Sequence, residues 1–212
     1  MSDEIQAEAY AQANYAEPHD AYPQLFAAEF KSPPDEATVL DLGCGPCDVT
    51  IRFAKAFPKY RFHAIDGSAA MLKQARLALQ REPEIAGRIR LIQSLLPEAT
   101  LPRAAYDVII SSNLLHHLAD PQVLWQSVRR FGRGGTLVFV TDLFRPTSRT
   151  LAEEMVEKYA RKEPEILRRD FFNSLLAAFT PDEIRGQLRF ANLALAVKVT
   201  SDRHVIVVGK LG

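Results

Sequence analysis

Apolar positions along this chain change their period several times, and each change marks a different element. Thr38-Val39-Leu40-Asp41-Leu42 is a short run, apolar at most places, that stops abruptly at Gly43-Cys44-Gly45-Pro46. A run of that kind ended by turn residues predicts a buried strand entering a tight turn. Val49, Phe53 and Phe57 then recur at every fourth residue, one face of a helix that Pro58 closes. The alternation repeats. Tyr60 to Asp66 reads as a second strand, and Ser68 as the N-cap of a helix whose inner face carries Met71, Leu72, Ala75 and Leu79. Ile89 to Gln93, Tyr106 to Ser111 and Thr136 to Thr141 supply further strands, with Asp120-Pro121 as N-cap and first residue of the helix before the last of them. Strands separated by helices predict a parallel sheet covered on both faces.

The last third breaks that rhythm. Ser148 to Tyr159 and Ile166 to Phe179 read as helices, and Thr180-Pro181-Asp182-Glu183 is a capping box with proline at its first helical position. Leu193 to Thr200 and His204 to Val208 are strands joined only by Ser201-Asp202-Arg203, too short for a parallel crossover, so the pair is antiparallel. The predicted fold class is α/β, a three-layer sandwich around a seven-stranded, mostly parallel sheet whose last strand is antiparallel. Residues 1–212 form one domain, with 1–34 a helical cover and 145–179 a helical lid insertion.

Composition removes several function classes. Hydrophobic residues at 47% and charged residues at 25% exclude wholesale disorder. Lys+Arg 26 balances Asp+Glu 26, so no net field exists to hold a polyanion and no nucleic-acid partner is expected. The acidic start, Met1 to Tyr10, lacks the apolar core of a secretory signal, and no window reaches the ~18 apolar residues of a membrane span. A cytoplasmic protein acting on a small molecule is expected.

The chemistry concentrates after the first strand. Glycines that end a strand and open a helix let backbone approach a ligand, and open α/β sheets bind ligands at the carboxyl ends of their strands. Asp66 ends the second strand 21 residues after Gly45, near the ~20-residue offset at which a carboxylate reaches ribose hydroxyls. A dinucleotide site wants a third glycine where this chain has Asp48, an acid that would repel a pyrophosphate and tolerate a cationic ligand. Asp41 adds a second acid beside the same turn, so a nicotinamide-dependent oxidoreductase is the weaker alternative.

With these features in place, the chain resembles the class I S-adenosylmethionine-dependent methyltransferases. Val39 to Pro46 is similar to their first motif, Ala64 to Leu72 to the acidic end of the second strand, Tyr106 to Leu118 to the fourth-strand motif and Gly134 to Pro146 to the fifth strand. The resemblance implies a Rossmann-like fold, S-adenosylmethionine as cofactor, S-adenosylhomocysteine as product, and in-line methyl transfer to an O, N or C nucleophile. By that resemblance Asp66 takes the ribose hydroxyls, Gly43, Cys44 and Gly45 line the methionyl portion, and Asp41 and Asn113 face its amino-acid end. Gly67, Ser68, Met71, Ser94 and Leu95 complete the set around the nucleoside. Two departures stand out: Cys47 replaces the usual third glycine, and Gln93-Ser94 lacks the acid that often meets adenine. A peptide or protein methyltransferase and a non-catalytic S-adenosylmethionine-binding module are the alternative readings.

Cys44-Gly45-Pro46-Cys47 also spells a dithiol motif, but a thioredoxin-like reading leaves Asp66 and the closing hairpin unexplained. Two cysteines do not close a zinc site, and the adjacent His116 and His117 point apart on a helix, so no metal is expected. An O–H or N–H acceptor needs a base, and His117, with His116 beside it, follows the fourth strand at the expected place. The resemblance favours the second position, His117. Among Tyr10, Tyr15 and Tyr22 of the N-terminal helices, Tyr15 is the candidate for touching substrate or cofactor. Asp142 and Arg145, at the end of the fifth strand, bind substrate or pair with each other.

Overall fold

The computed structural model describes residues 4, 7, 8, 10 and 16–212. The elements in chain order are α1 (Ala16–Phe30), β1 (Thr38–Leu42), α2 (Asp48–Ala56), β2 (Arg61–Asp66), α3 (Ala69–Gln80), α4 (Pro83–Ala86), β3 (Ile89–Gln93) and β4 (Val108–Ser112). There follow a 3-10 turn (Leu115–His117), α5 (Gln122–Phe131), β5 (Leu137–Leu143), α6 (Arg149–Ala160), α7 (Glu165–Ala177), α8 (Pro181–Phe190), β6 (Ala196–Val199) and β7 (His204–Lys210). The strands form one seven-stranded sheet in the order β3-β2-β1-β4-β5-β7-β6. β1 to β5 pair in parallel, while β7 runs antiparallel to both β5 and β6. The short turn after β6 thus produces the antiparallel hairpin that its length demands.

Each central strand is apolar on both sides because each side meets helices. In β1, Val39 joins one cluster with Phe26 of α1, Phe53 of α2 and Leu72 of α3, whereas Leu40 and Leu42 join the opposite cluster with Trp125 of α5 and Ile184 of α8. Trp125 is fully buried and its indole N–H donates to Gln187 Oε1 at 3.0 Å, which locks α5 to α8. Phe26 contacts the rings of Phe53, Phe57 and Phe139 at 5.4–5.7 Å, so α1 is welded to the sheet through its second half. α6 and α7 make a separate small core with Leu143, and α7 packs on the 3-10 turn.

Local chemistry sets the helix starts. Ser68 and Ser148 cap α3 and α6, and Thr180 with Glu183 forms the capping box of α8. α5 begins one residue later than the proline rule gives: Pro121 is the N-cap, and Asp120 Oδ1 accepts from Gln122 N at 2.8 Å. α4, unpredicted, is a single turn begun by Pro83. No helix among the described residues is long and apolar enough to cross a membrane.

Candidate active site

The carboxyl ends of β1 and β2 meet through backbone. Gly43 N and Cys44 N both donate to Ile65 O at 2.9 Å, and Gly45 N donates to Asp66 Oδ2 at 2.9 Å. The other Asp66 oxygen accepts from Ser68 N at 2.8 Å, and Ser68 Oγ accepts from Met71 N at 3.2 Å. Gly43 and Gly45 have φ of 72° and 52°, the left-handed conformation glycine enters without strain. A Cβ on Gly67 would come within 2.7 Å of a Leu95 methyl. Leu95 itself is 73% exposed, lying over Gly67 beside half-buried Ser94. Asp41, Gly43, Cys44, Gly45, Asp66, Gly67, Ser68, Ser94 and Leu95 are thereby brought to one end of the sheet. Met71 is buried, so its backbone rather than its side chain takes part in the turn.

Two expectations about this turn are corrected. Asp41 is not an open anion: it is sealed beneath the turn, bonded by Thr50 Oγ1 at 2.5 Å, and burial pushes its pKa up to about 7. Asp48 does not face a ligand with its charge either. Its oxygens are taken by Arg52 and by His19 Nδ1, the latter at 2.6 Å, and these partners hold its carboxyl below the usual range against the opposing effect of its own burial. Cys47 keeps the backbone of a third glycine, with φ at 66°. Cys44 and Cys47 are free and buried, and the hydrogen bond between them and then burial push the Cys44 thiol up. That is the setting of structural thiols, the opposite of an activated thiolate.

The β4–β5 end is built from side chains. Asp142, buried at the end of β5, accepts from Leu115 N and Leu143 N at 2.8 Å and lies 2.5 Å from His116 Nδ1. A carboxylate so placed fixes the His116 proton on Nδ1 and leaves Nε2 with a lone pair. Nε2 takes no partner among the described residues and is not sealed. His117 is exposed on the same turn, its ring 4.1 Å from that of His116; desolvation by the surrounding protein and then the His116 ring lower its pKa to about 4. The pairing expected between Asp142 and Arg145 does not form, since Arg145 bonds Glu183 at 2.5 Å.

α1 reaches this end through His19, and α7 packs against the 3-10 turn. Tyr22, buried against the Thr141 and Ser112 hydroxyls without a bond of good geometry, has its pKa pushed up to about 12 by burial. Tyr10 is half-buried, and Tyr15 lies outside the described residues. Tyr159 of α6 bonds Asp202, which also takes Lys158 Nζ at 3.0 Å, while the Arg203 guanidinium stacks 3.4 Å above the Tyr159 ring. Among the described residues no group of His, Cys, Asp and Glu could hold a metal ion. His19, which pattern reading missed, also reaches Asn113, whose Nδ2 lies 3.4 Å from His19 Nε2. Asn113 Oδ1 is buried with no partner among the described residues, an acceptor able to take a donor.

The methyltransferase domain family matches residues 40–138, from β1 to the start of β5, a span that holds Asp41, Asp66, Asn113 and His116 but neither His19 nor Asp142. Over that span the chain is similar to methyltransferase domains. Over 106 residues it is 32% identical to the trans-aconitate 2-methyltransferase of Azoarcus sp. (strain BH72), a match covering 50% of this chain and 39% of that protein. It is 28% identical over 163 residues to the ubiquinone biosynthesis O-methyltransferase of Xanthomonas oryzae pv. oryzae, covering 75% of this chain and 63% of that one. The chain thus spans about half the length of curated relatives it matches. A methyltransferase from Aquifex aeolicus has the same fold, with a TM-score of 0.71, 16% identity and 99% of both chains covered. The residues present fit S-adenosylmethionine: glycine turns for backbone approach, Asp66 for the ribose, and the unfilled Asn113 oxygen for a cationic donor.

Proposed function

We propose that this chain methylates a hydroxyl oxygen of a small molecule, with His116 as general base and Asp142 as the group that orients it. The observation that carries the reading is the 2.5 Å contact between His116 Nδ1 and the buried Asp142 carboxylate, with Nε2 left open. Bound S-adenosylmethionine supplies a methyl already activated on a sulfonium. The chain's task is therefore to align the acceptor oxygen and remove its proton. His116 Nε2 receives that proton, and Asp142, held by two backbone N–H groups, stabilises the imidazolium that results. Asp66, Gly43 and Gly45 hold the cofactor, with Gly67, Ser94 and Leu95 beside its base. α1 and the 145–179 insertion exclude water as cover and lid. His117 lines the same opening and shapes it. A net charge of zero and relatives named for trans-aconitate and for ubiquinone biosynthesis support a small acceptor over a polymer.

The test is a screen of hydroxyl-bearing and carboxyl-bearing small molecules with methyl-labelled S-adenosylmethionine, with Asp66→Ala as control. Label appearing on a hydroxyl oxygen, and lost in the control, is the expected result. Label appearing only on carboxylates, which need no base, would overturn the assignment of His116.

A further inference from the structure

We propose that His19 of α1 is a positioning residue that sets the Asn113 amide so that its oxygen receives the ammonium group of the cofactor's amino-acid portion. The inference rests on the cofactor reading above and adds a residue that lies outside the 40–138 family match.

A chain of polarised contacts forces the orientation. Arg52 donates to one oxygen of Asp48, and His19 Nδ1 lies 2.6 Å from the other. Beside a carboxylate, Nδ1 carries the ring proton, which makes Nε2 an acceptor. Asn113 therefore turns its NH2 toward Nε2, at 3.4 Å, and its carbonyl oxygen away. That oxygen is buried and accepts nothing from the described residues. A buried acceptor without a donor is unfavourable, and most such groups in folded proteins are paired, so a ligand donor belongs there.

The location identifies the donor. Asn113 follows β4 directly, with a left-handed φ of 53°, and its N–H is fixed to Thr141 O at 3.0 Å. Its neighbour Leu114 lies against Gly43, where a Cβ would meet a leucine methyl at 2.7 Å. Asn113 thus borders the glycine turn on the side away from Asp66, the end where the amino-acid portion of S-adenosylmethionine lies by the family resemblance. An ammonium has only donors, so it fits a lone amide oxygen and would be refused by the amide NH2. Asp20, next to His19, also binds Arg52 at 2.6 Å, so α1 docks on the same charge set that orients the amide.

The test compares two ligands, S-adenosylhomocysteine, which carries the ammonium, and 5′-methylthioadenosine, which lacks the whole amino-acid portion. Calorimetry on the full chain with His19→Leu should show about a tenfold weaker affinity for S-adenosylhomocysteine, as expected for losing one hydrogen bond to a charged group, with 5′-methylthioadenosine unchanged. His19→Gln, whose side-chain oxygen can still accept from the Asn113 NH2, should recover most of the loss. Equal weakening of both ligands would mean that His19 only holds the fold together, and no weakening of either would equally overturn the proposal. Failure of the unaltered chain to bind S-adenosylhomocysteine would overturn the cofactor reading, and with it this inference.

Discussion

At the β1–β2 end of the site, the contacts that matter join backbone N–H groups to Asp66, at most 21 positions away. At the β4–β5 end they join side chains from segments 26 to 94 positions apart: His116 with Asp142, and His19 with Asn113. The first end is made wherever a strand, two glycines and a second strand fold together. The second exists only after α1 and β5 have docked beside the fourth strand. The difference teaches how the two ends are specified: the proposed nucleoside end rests on short-range backbone geometry, and the end proposed to carry the base and to meet the cofactor's amino-acid portion rests on long-range side-chain assembly.

The comparison breaks most visibly at His116. His116→Ala should lower turnover of the acceptor found in the screen by about 10²–10⁴-fold while leaving S-adenosylhomocysteine affinity unchanged. Asp142→Asn should fall between the two, because the base remains but its Nδ1 partner no longer favours the protonated ring. Single-turnover rates together with calorimetry separate the effects. A loss of cofactor affinity in His116→Ala would show that the two ends are not independent.

How each end is built also decides what was legible in the sequence. Gly43, Gly45 and Asp66 were readable because strand periodicity, turn residues and one offset fix their positions without knowledge of packing. The sheet and the hairpin turn at Ser201-Asp202-Arg203 were readable for the same reason. The His116–Asp142 pair was not: both residues stood out, but which of two adjacent histidines faces a carboxylate on another strand depends on the 3-10 turn. His19 carried no signal, being one polar residue in an alanine-rich helix whose partners lie 29 and 94 positions away. Asp48 was misjudged because a charge was read as facing the ligand before its partners on α1 were in place.

Asp41 sharpens the comparison at intermediate size. With its pKa raised to about 7, the folded chain holds a proton there that the unfolded chain releases near 4, so this group's contribution to stability is lost as pH rises from about 4 to about 7. A cationic ligand reverses the preference by favouring the carboxylate. Binding of S-adenosylmethionine should therefore release up to about one proton below pH 7, and its affinity should rise by at most about tenfold per pH unit toward neutrality. Calorimetry in buffers of different ionisation enthalpy reads the proton directly, and Asp41→Asn should abolish the release. Affinity independent of pH between about 6 and 7 would show that the buried carboxyl does not sense the cofactor.

The smallest effect concerns the backbone of the turn itself. Cys47 sits at φ 66° with its side chain fully buried, so one residue carries both a conformational cost and a packing gain. A left-handed conformation costs a residue with a Cβ roughly 1–2 kcal/mol, and glycine almost none of it. Cys47→Ala loses the sulfur's contacts and keeps the strain, whereas Cys47→Gly loses slightly more contact and removes the strain. If the backbone holds its conformation, the glycine variant should be the more stable of the two by about 1 kcal/mol in denaturant unfolding, although it is the larger deletion. The reverse order would mean that the turn relaxes when the thiol leaves. The Cys47 side chain, rather than the glycines, would then be what shapes the β1–β2 end, and that end would depend on packing as much as the other.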